Sequence, residues 1–185
     1  MTKPLKKGAT YADLCAVPEN LVAEILGGEL YAFPRPALPH AHAAGRLFVK
    51  LSNPFQDGQN GPGGWLFLNE PELHFGADVV VPDIAGWRRE RMPVVPNAAY
   101  LTLAPDWLCE VLSPSTEAID RRKKLAIYAR EGVAHVWLLK PLLQTLEVLR
   151  LESRRWSLAP THDADAKVRA EPFAAIELAL RELWI

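Results

Sequence analysis

Apolar and polar positions change period several times along the chain. Thr10 with Asp13 three residues on is a capping-box-like helix start, and Pro18 ends that short helix. Two apolar-rich runs, LVAEIL and ELYAFP, then flank Gly27-Gly28. Paired glycines between such runs suit a two-residue turn with positive φ, which predicts an N-terminal β-hairpin. A helix over 19–26 is the competing reading. The prolines of PRPALPH predict a loop, followed by a helix over AHAAGRLFVKLSNPF that ends at Pro54. After the glycine-rich QDGQNGPGG, three strands are predicted, WLFLNE, ELHFG and DVVVPDIAGW, and then a long, partly exposed connection over 88–105.

WLCEVL reads as a short buried strand. The turn SPST leads into a helix from Thr116 to Glu131, with Thr116 or Ser115 as N-cap and Glu117 in the first turn. Leu125, Tyr128 and Ala129 form its apolar face, and Gly132 stops it. AHVWLLK, TLEVLRL and RRWSLA follow as strands, THDADAKVRAEP as a polar loop, and FAAIELALRELWI as an apolar tail that docks on the body. This mixture predicts an α/β (α+β mixed) fold. Without a repeat or a linker, residues 1–185 form one expected domain.

Composition changes this picture little. At 49% hydrophobic and 23% charged, the 185 residues suit a globular protein and exclude dominant disorder. A formal net charge of −1 rules out a global basic field for nucleic acid. Phosphate contacts then need a local patch, and Arg88, Arg89 and Arg91 in WRRERM offer one unless they are simply solvated. Two cysteines, Cys15 and Cys109, build no disulfide framework, which fits a reducing compartment. The N-terminus has no apolar stretch behind its basic residues, and no run approaches the ~20 apolar residues of a membrane span. A cytoplasmic protein without membrane contact is expected.

The candidate chemistry starts at Glu110, a carboxylate inside an apolar strand. Left unpaired there, it would cost several kcal/mol. A lysine or arginine could pair it, or it could share a metal ion with Asp83, which follows the apolar run VVVP. Mg²⁺ takes oxygen ligands, commonly one or two carboxylates with waters and substrate phosphate. Asp83 could instead cap a turn after Pro82. In the following helix, Lys124 lies four residues from both Asp120 and Tyr128, so the three share a face and Lys124 can turn inward. Arg121, Arg122 and Lys123 read as a solvated basic face. His40 and His42 form an HxH without the partners of a zinc site. Trp65, Trp87, Trp107 and Trp137 read as core or rim aromatics.

PEN-LVAEILGGELYAFPRP, His42, VVVPDIAGW and LCEVLSPST with the spaced Asp120, Lys124, Tyr128 and Gly132-Val133 together closely resemble the Uma2 family, also called DUF820. The resemblance runs from about Pro18 to the C-terminal tryptophan. It implies the restriction-endonuclease-like fold of the PD-(D/E)XK superfamily: a mixed β-sheet flanked by helices, a divalent metal (Mg²⁺ or Mn²⁺), and phosphodiester hydrolysis in nucleic acid, DNA first. Pro82-Asp83 become the PD element, and Glu110 the acid of the second element. The Val111 backbone carbonyl is implied as a further ligand. Glu24 matches another acid of the family, as a metal ligand or a support for one. His42 matches a recurrent position of the family, as a phosphate contact or a helix-start cap, while Arg88 is a candidate phosphate contact only through the basic run WRRERM.

One departure stands out, because the usual lysine two residues after the acid falls at Leu112. Residues 110 and 112 project to one face of a strand, so that face lacks a charge, and Lys124 is the expected replacement. Two classes of function follow: a metal-dependent endonuclease, or a non-catalytic nucleic-acid-binding or regulatory module on the same fold. A homodimer is expected from the resemblance alone, since two scissile strands need two sites.

Overall fold

The computed structural model describes residues 3–185. Its strands in chain order are β1 (Lys6–Lys7), β2 (Leu21–Leu26), β3 (Glu29–Pro34), β4 (Trp65–Asn69), β5 (Leu73–Phe75), β6 (Asp78–Val80) and β7 (Ile84–Arg88). There follow β8 (Trp107–Val111), β9 (His135–Lys140), β10 (Thr145–Glu152), β11 (Arg155–Leu158), β12 (Lys167–Val168) and β13 (Leu178–Ala179). The helices are α1 (Tyr11–Cys15), α2 (Leu38–Leu51), α3 (Glu117–Ile119) and α4 (Leu125–Arg130). A π-helical turn, Ser52–Gln56, prolongs α2, and another, Asp120–Lys124, joins α3 to α4.

Two sheets organise these elements. A six-stranded sheet has the order β11-β10-β9-β8-β7-β4. Its neighbours are antiparallel except β8 and β9, which run parallel. A parallel pair needs a crossover, supplied here by the helical segment 117–130. The sheet is mixed and helix-flanked, as expected. The predicted hairpin also forms, with both turn glycines at positive φ, Gly27 at 64° and Gly28 at 74°. It is the centre of a second sheet, all antiparallel, with the order β1-β3-β2-β6-β5. Sequence spacing does not reveal this second sheet, because its pairings are long-range.

Each face of the six-stranded sheet has its own core. Alternation along β8 sends Trp107, Cys109 and Val111 to one side and Leu108 to the other. The first side packs on α2, on Phe55 and on the chain's end, where Leu178, Leu180 and Leu183 are buried. The expected docking of the tail is therefore present. The second side packs on segment 117–130 and on the five-stranded sheet through Leu26, Phe33 and Val80.

Several boundaries differ from expectation. DVVVPDIAGW is two strands in different sheets: β6 stops at Val80, and β7 begins at Ile84. Pro82 has no N–H to donate to a ladder, so the chain changes sheets there. Helix α2 begins at Leu38, with Pro39 in its first turn, so the predicted loop PRPALPH is already helical at His40. Helix 117–130 has the predicted extent, but Thr116 makes no side-chain cap bond. Its N–H donates instead to the Ser113 hydroxyl, 3.3 Å away. The polar loop 161–172 contains β12 and buries Val168 and Ala170. The capping box at Thr10 and Asp13 forms as read. Both cysteines are free, Cys15 exposed and Cys109 buried. Among the described residues, no helix is long and apolar enough to cross a membrane.

Candidate active site

The break at Pro82 positions the first acid. The β7–β8 register pairs Ile84 with Cys109, so extending it by one pair sets Asp83 opposite Glu110. Opposite residues of an antiparallel pair project to the same face. Asp83 Oδ2 accepts the Val111 backbone N–H at 2.7 Å, which fixes the carboxylate across the strand pair. Its Oδ1 lies 3.2 Å from His40 Nε2. The Glu70 N–H donates to the Asp83 carbonyl at 3.0 Å, one step beyond the β4–β7 ladder.

Glu110 is only 3% exposed. Its Oε1 accepts the Tyr128 hydroxyl and lies 2.8 Å from Lys124 Nζ. The ammonium also lies 3.0 Å from Glu24 Oε1 and 3.9 Å from Asp120 Oδ1, and it donates to the Val81 carbonyl at 3.2 Å. Glu24 accepts the Val81 N–H at 2.7 Å, which ties the hairpin to the segment that carries Asp83. Lys124 thus arrives from the helix, as expected from the leucine at 112, while Leu112 is buried in the apolar core. The π-helical turn delivers it: the Leu125 N–H bonds the Asp120 carbonyl five residues back. Such turns occur frequently at functional sites.

Charge in this cluster is unbalanced. Glu24, Glu110 and Asp120 surround one buried ammonium, and Asp83 adds a further carboxylate. Burial pushes the Glu110 carboxyl well above its usual range; Asp120, Asp83 and Glu24 push the same way, against Lys124. Burial likewise raises Asp120 to about 6. Burial opposes the charge on Lys124, but Glu110 and Glu24 outweigh it and hold the lysine protonated. For His40, burial is also outweighed, by its bond to Asp83, so its pKa is raised.

These groups border a cavity of about 310 Å³. Asp83, Glu110, Val111, Lys124 and Glu24, all expected from the sequence, come together there. His40, Glu70 and Asp120 also line it. His42 is exposed on α2 and does not line the cavity. Arg88 ends β7 at the far end from Asp83, roughly 17 Å along the strand at about 3.3 Å per residue. Its guanidinium lies 4.3 Å above the Trp65 ring. The signal for His40 was the proline-led helix start, which places it in the first turn instead of a loop.

The donor set suits a hard divalent cation. Among the described residues, no group of three or more His, Cys, Asp and Glu side chains converges as a metal cage. Mg²⁺ does not need one, because it keeps several waters and binds through one or two carboxylates. Asp83 and Glu110 both border the cavity and could hold such an ion, and the excess of carboxylate over ammonium is charge that a divalent ion would offset.

The overall fold is shared with a solved structure. Over 95% of this chain and 97% of the other, with 25% identity and a TM-score of 0.73, the chain is similar to the crystal structure of a "putative nuclease belonging to DUF820" from Anabaena variabilis ATCC 29413. Two sheets meeting at a buried carboxylate–lysine cluster thus define a nuclease-fold protein. The Uma2 family, described as "Putative restriction endonuclease", matches residues 9–181, and the chain belongs to that family. No curated protein matches the chain.

Proposed function

We propose that this chain is a metal-dependent endonuclease that hydrolyses phosphodiester bonds in nucleic acid, with DNA the first substrate to test. The observation that carries this is the Lys124 ammonium, buried between Glu110 and Glu24 at the floor of a cavity that Asp83 also borders. A structural ion pair gains nothing from a vestibule, whereas a phosphate-handling site requires one.

Asp83, Glu110 and the Val111 carbonyl would hold Mg²⁺ or Mn²⁺. Such an ion, when bound, polarises a phosphoryl oxygen and lowers the pKa of water. Lys124 supplies fixed positive charge where charge accumulates on the phosphoryl oxygens, and it is held in place before substrate arrives. Glu24 positions that ammonium and the Val81 N–H together. His40 orients Asp83 from the helix side.

Cleavage of supercoiled plasmid and of single-stranded DNA with Mg²⁺ or Mn²⁺, natural protein against Glu110→Ala, tests the reading. Metal-dependent cleavage that the variant loses supports it. Folded protein that cuts neither substrate would favour the second reading, a binding module whose buried cluster is structural. Leu112, apolar where the superfamily pattern has lysine, is the feature that keeps that reading in play.

A further inference from the structure

The reactive groups lie deep. Glu24, Glu110 and Lys124 are each no more than 4% exposed at the cavity floor. A volume of about 310 Å³ is at the small end for ligand pockets. A duplex is a stiff rod and cannot push one phosphate into such a recess without unstacking, whereas an unpaired strand bends freely into it.

The walls suit a base. Phe33, Pro34 and Pro36 line one side and Pro114 also lines the cavity, with Arg35 among them. Unpaired bases rest on such apolar faces and on guanidinium planes. A second cavity, of about 480 Å³, shares Pro114 and Ser115 with the first and is lined by Tyr31 and Arg122. The two recesses therefore adjoin at Pro114 and Ser115.

Unneutralised arginines mark both halves. Arg121 pairs with Glu117 and Glu147, and Lys123 with Glu29. Arg122 has no ion pair or hydrogen bond among the described residues. Among the described residues, Arg35 donates only to the Glu19 carbonyl, at 3.2 Å. The rim elsewhere carries Glu70, and the chain's net charge is −1. A long duplex footprint needs many phosphate contacts, and this face offers two.

We propose that the ligand of this face is an unpaired nucleic-acid strand, one nucleotide of which enters the cavity while Arg35 and Arg122 hold phosphates on either side. The inference rests on the nuclease reading of the site and narrows its substrate. One strand needs one site, so a single copy suffices.

The test is fluorescence anisotropy on the full chain in Ca²⁺, followed by cleavage in Mg²⁺ or Mn²⁺. The probes are one labelled sequence as single strand, blunt duplex and duplex with an unpaired tail, each in DNA and in RNA. Single strand and tail are expected to bind at least about tenfold more tightly than blunt duplex, the worth of one stacked base. Affinity should fall with salt with a slope of about −1.4, dropping to about −0.7 in Arg122→Ala, as two phosphate contacts become one. Arg35 and Arg122 are exposed, so their variants should melt like the natural protein. Equal or tighter binding of blunt duplex with a steep salt slope overturns the inference; metal-dependent cleavage lost in Glu110→Gln would still uphold the nuclease reading. Strand-selective binding without cleavage does the reverse. Failure to bind any probe overturns both.

Discussion

The two faces of β8 divide its five residues between them and use them in opposite ways. On one, Trp107 meets Trp137 at 5.4 Å and Phe173 at 5.1 Å between ring centroids, inside an apolar core. On the other, Glu110 meets a lysine, a tyrosine hydroxyl and further carboxylates. The β8 side chains are buried on both faces. Area removed from water stabilises the first, largely without regard to pH. The second adds to its own apolar core a buried cluster in which one ammonium serves several carboxylates, so part of its stability follows protonation. A fold can carry such a cluster because the apolar cores on both faces supply the stability.

The largest effects should separate the faces by pH alone. Trp107→Ala is expected to cost about 3–5 kcal/mol as a core truncation. Lys124→Ala should cost a similar 3–5 kcal/mol or so near neutral pH, because it strands buried carboxylates. Toward acid the Lys124→Ala deficit should shrink as those carboxylates take up protons, while the Trp107→Ala deficit should not move. Urea unfolding of both variants across pH reads this directly. Parallel curves would mean the charged layer is not coupled to folding.

Asp120 sharpens the same contrast. Its folded pKa is raised from 3.8 to about 6, chiefly by burial. Between those values the folded state holds a proton that the unfolded state has released, so stability falls as pH rises through this window. Asp120→Asn should remove that slope. Above the window the variant should be more stable by up to about 3 kcal/mol, and below it the two proteins should match. A slope unchanged in the variant would place the titrating group elsewhere.

Glu110→Gln asks whether the charged layer serves function. Glutamine keeps the shape and discards the charge, so the melting temperature should hold or rise. Cleavage should fall at least about a hundredfold, roughly 2.7 kcal/mol of transition-state stabilisation. Retained cleavage would make Glu110 a structural group.

How far this arrangement was legible follows from the range of the interactions. Alternation along WLCEVL gives the two faces, and helical spacing puts Lys124, Asp120 and Tyr128 on one side; both are local. Asp83 and Glu110 could be singled out as charges flanked by apolar runs. Their juxtaposition depends on a strand register that short-range pattern does not encode. Glu24 was recognised as a recurrent acid, but its bond to the Val81 N–H depends on the second sheet, whose β2–β6 pairing joins Ile25 to Val79. His40 was passed over for His42 because three prolines masked a helix start. Glu70 carried no local signal: it reaches the cavity only because its N–H closes onto the Asp83 carbonyl.

Arg88 gives the smallest effect and bears on both faces at once. It was expected on phosphate, yet it ends β7 away from Asp83, with its guanidinium over Trp65. An exposed cation–π contact of this kind contributes about 0.5–1 kcal/mol. Arg88→Ala should therefore lower stability by that amount through the aromatic side. Strand affinity, salt slope and cleavage should stay within about twofold of the natural protein, since no phosphate contact is removed. Should the salt slope instead drop by one contact, the substrate must run the length of β7, and the division between a purely structural face and a purely functional one fails at its edge.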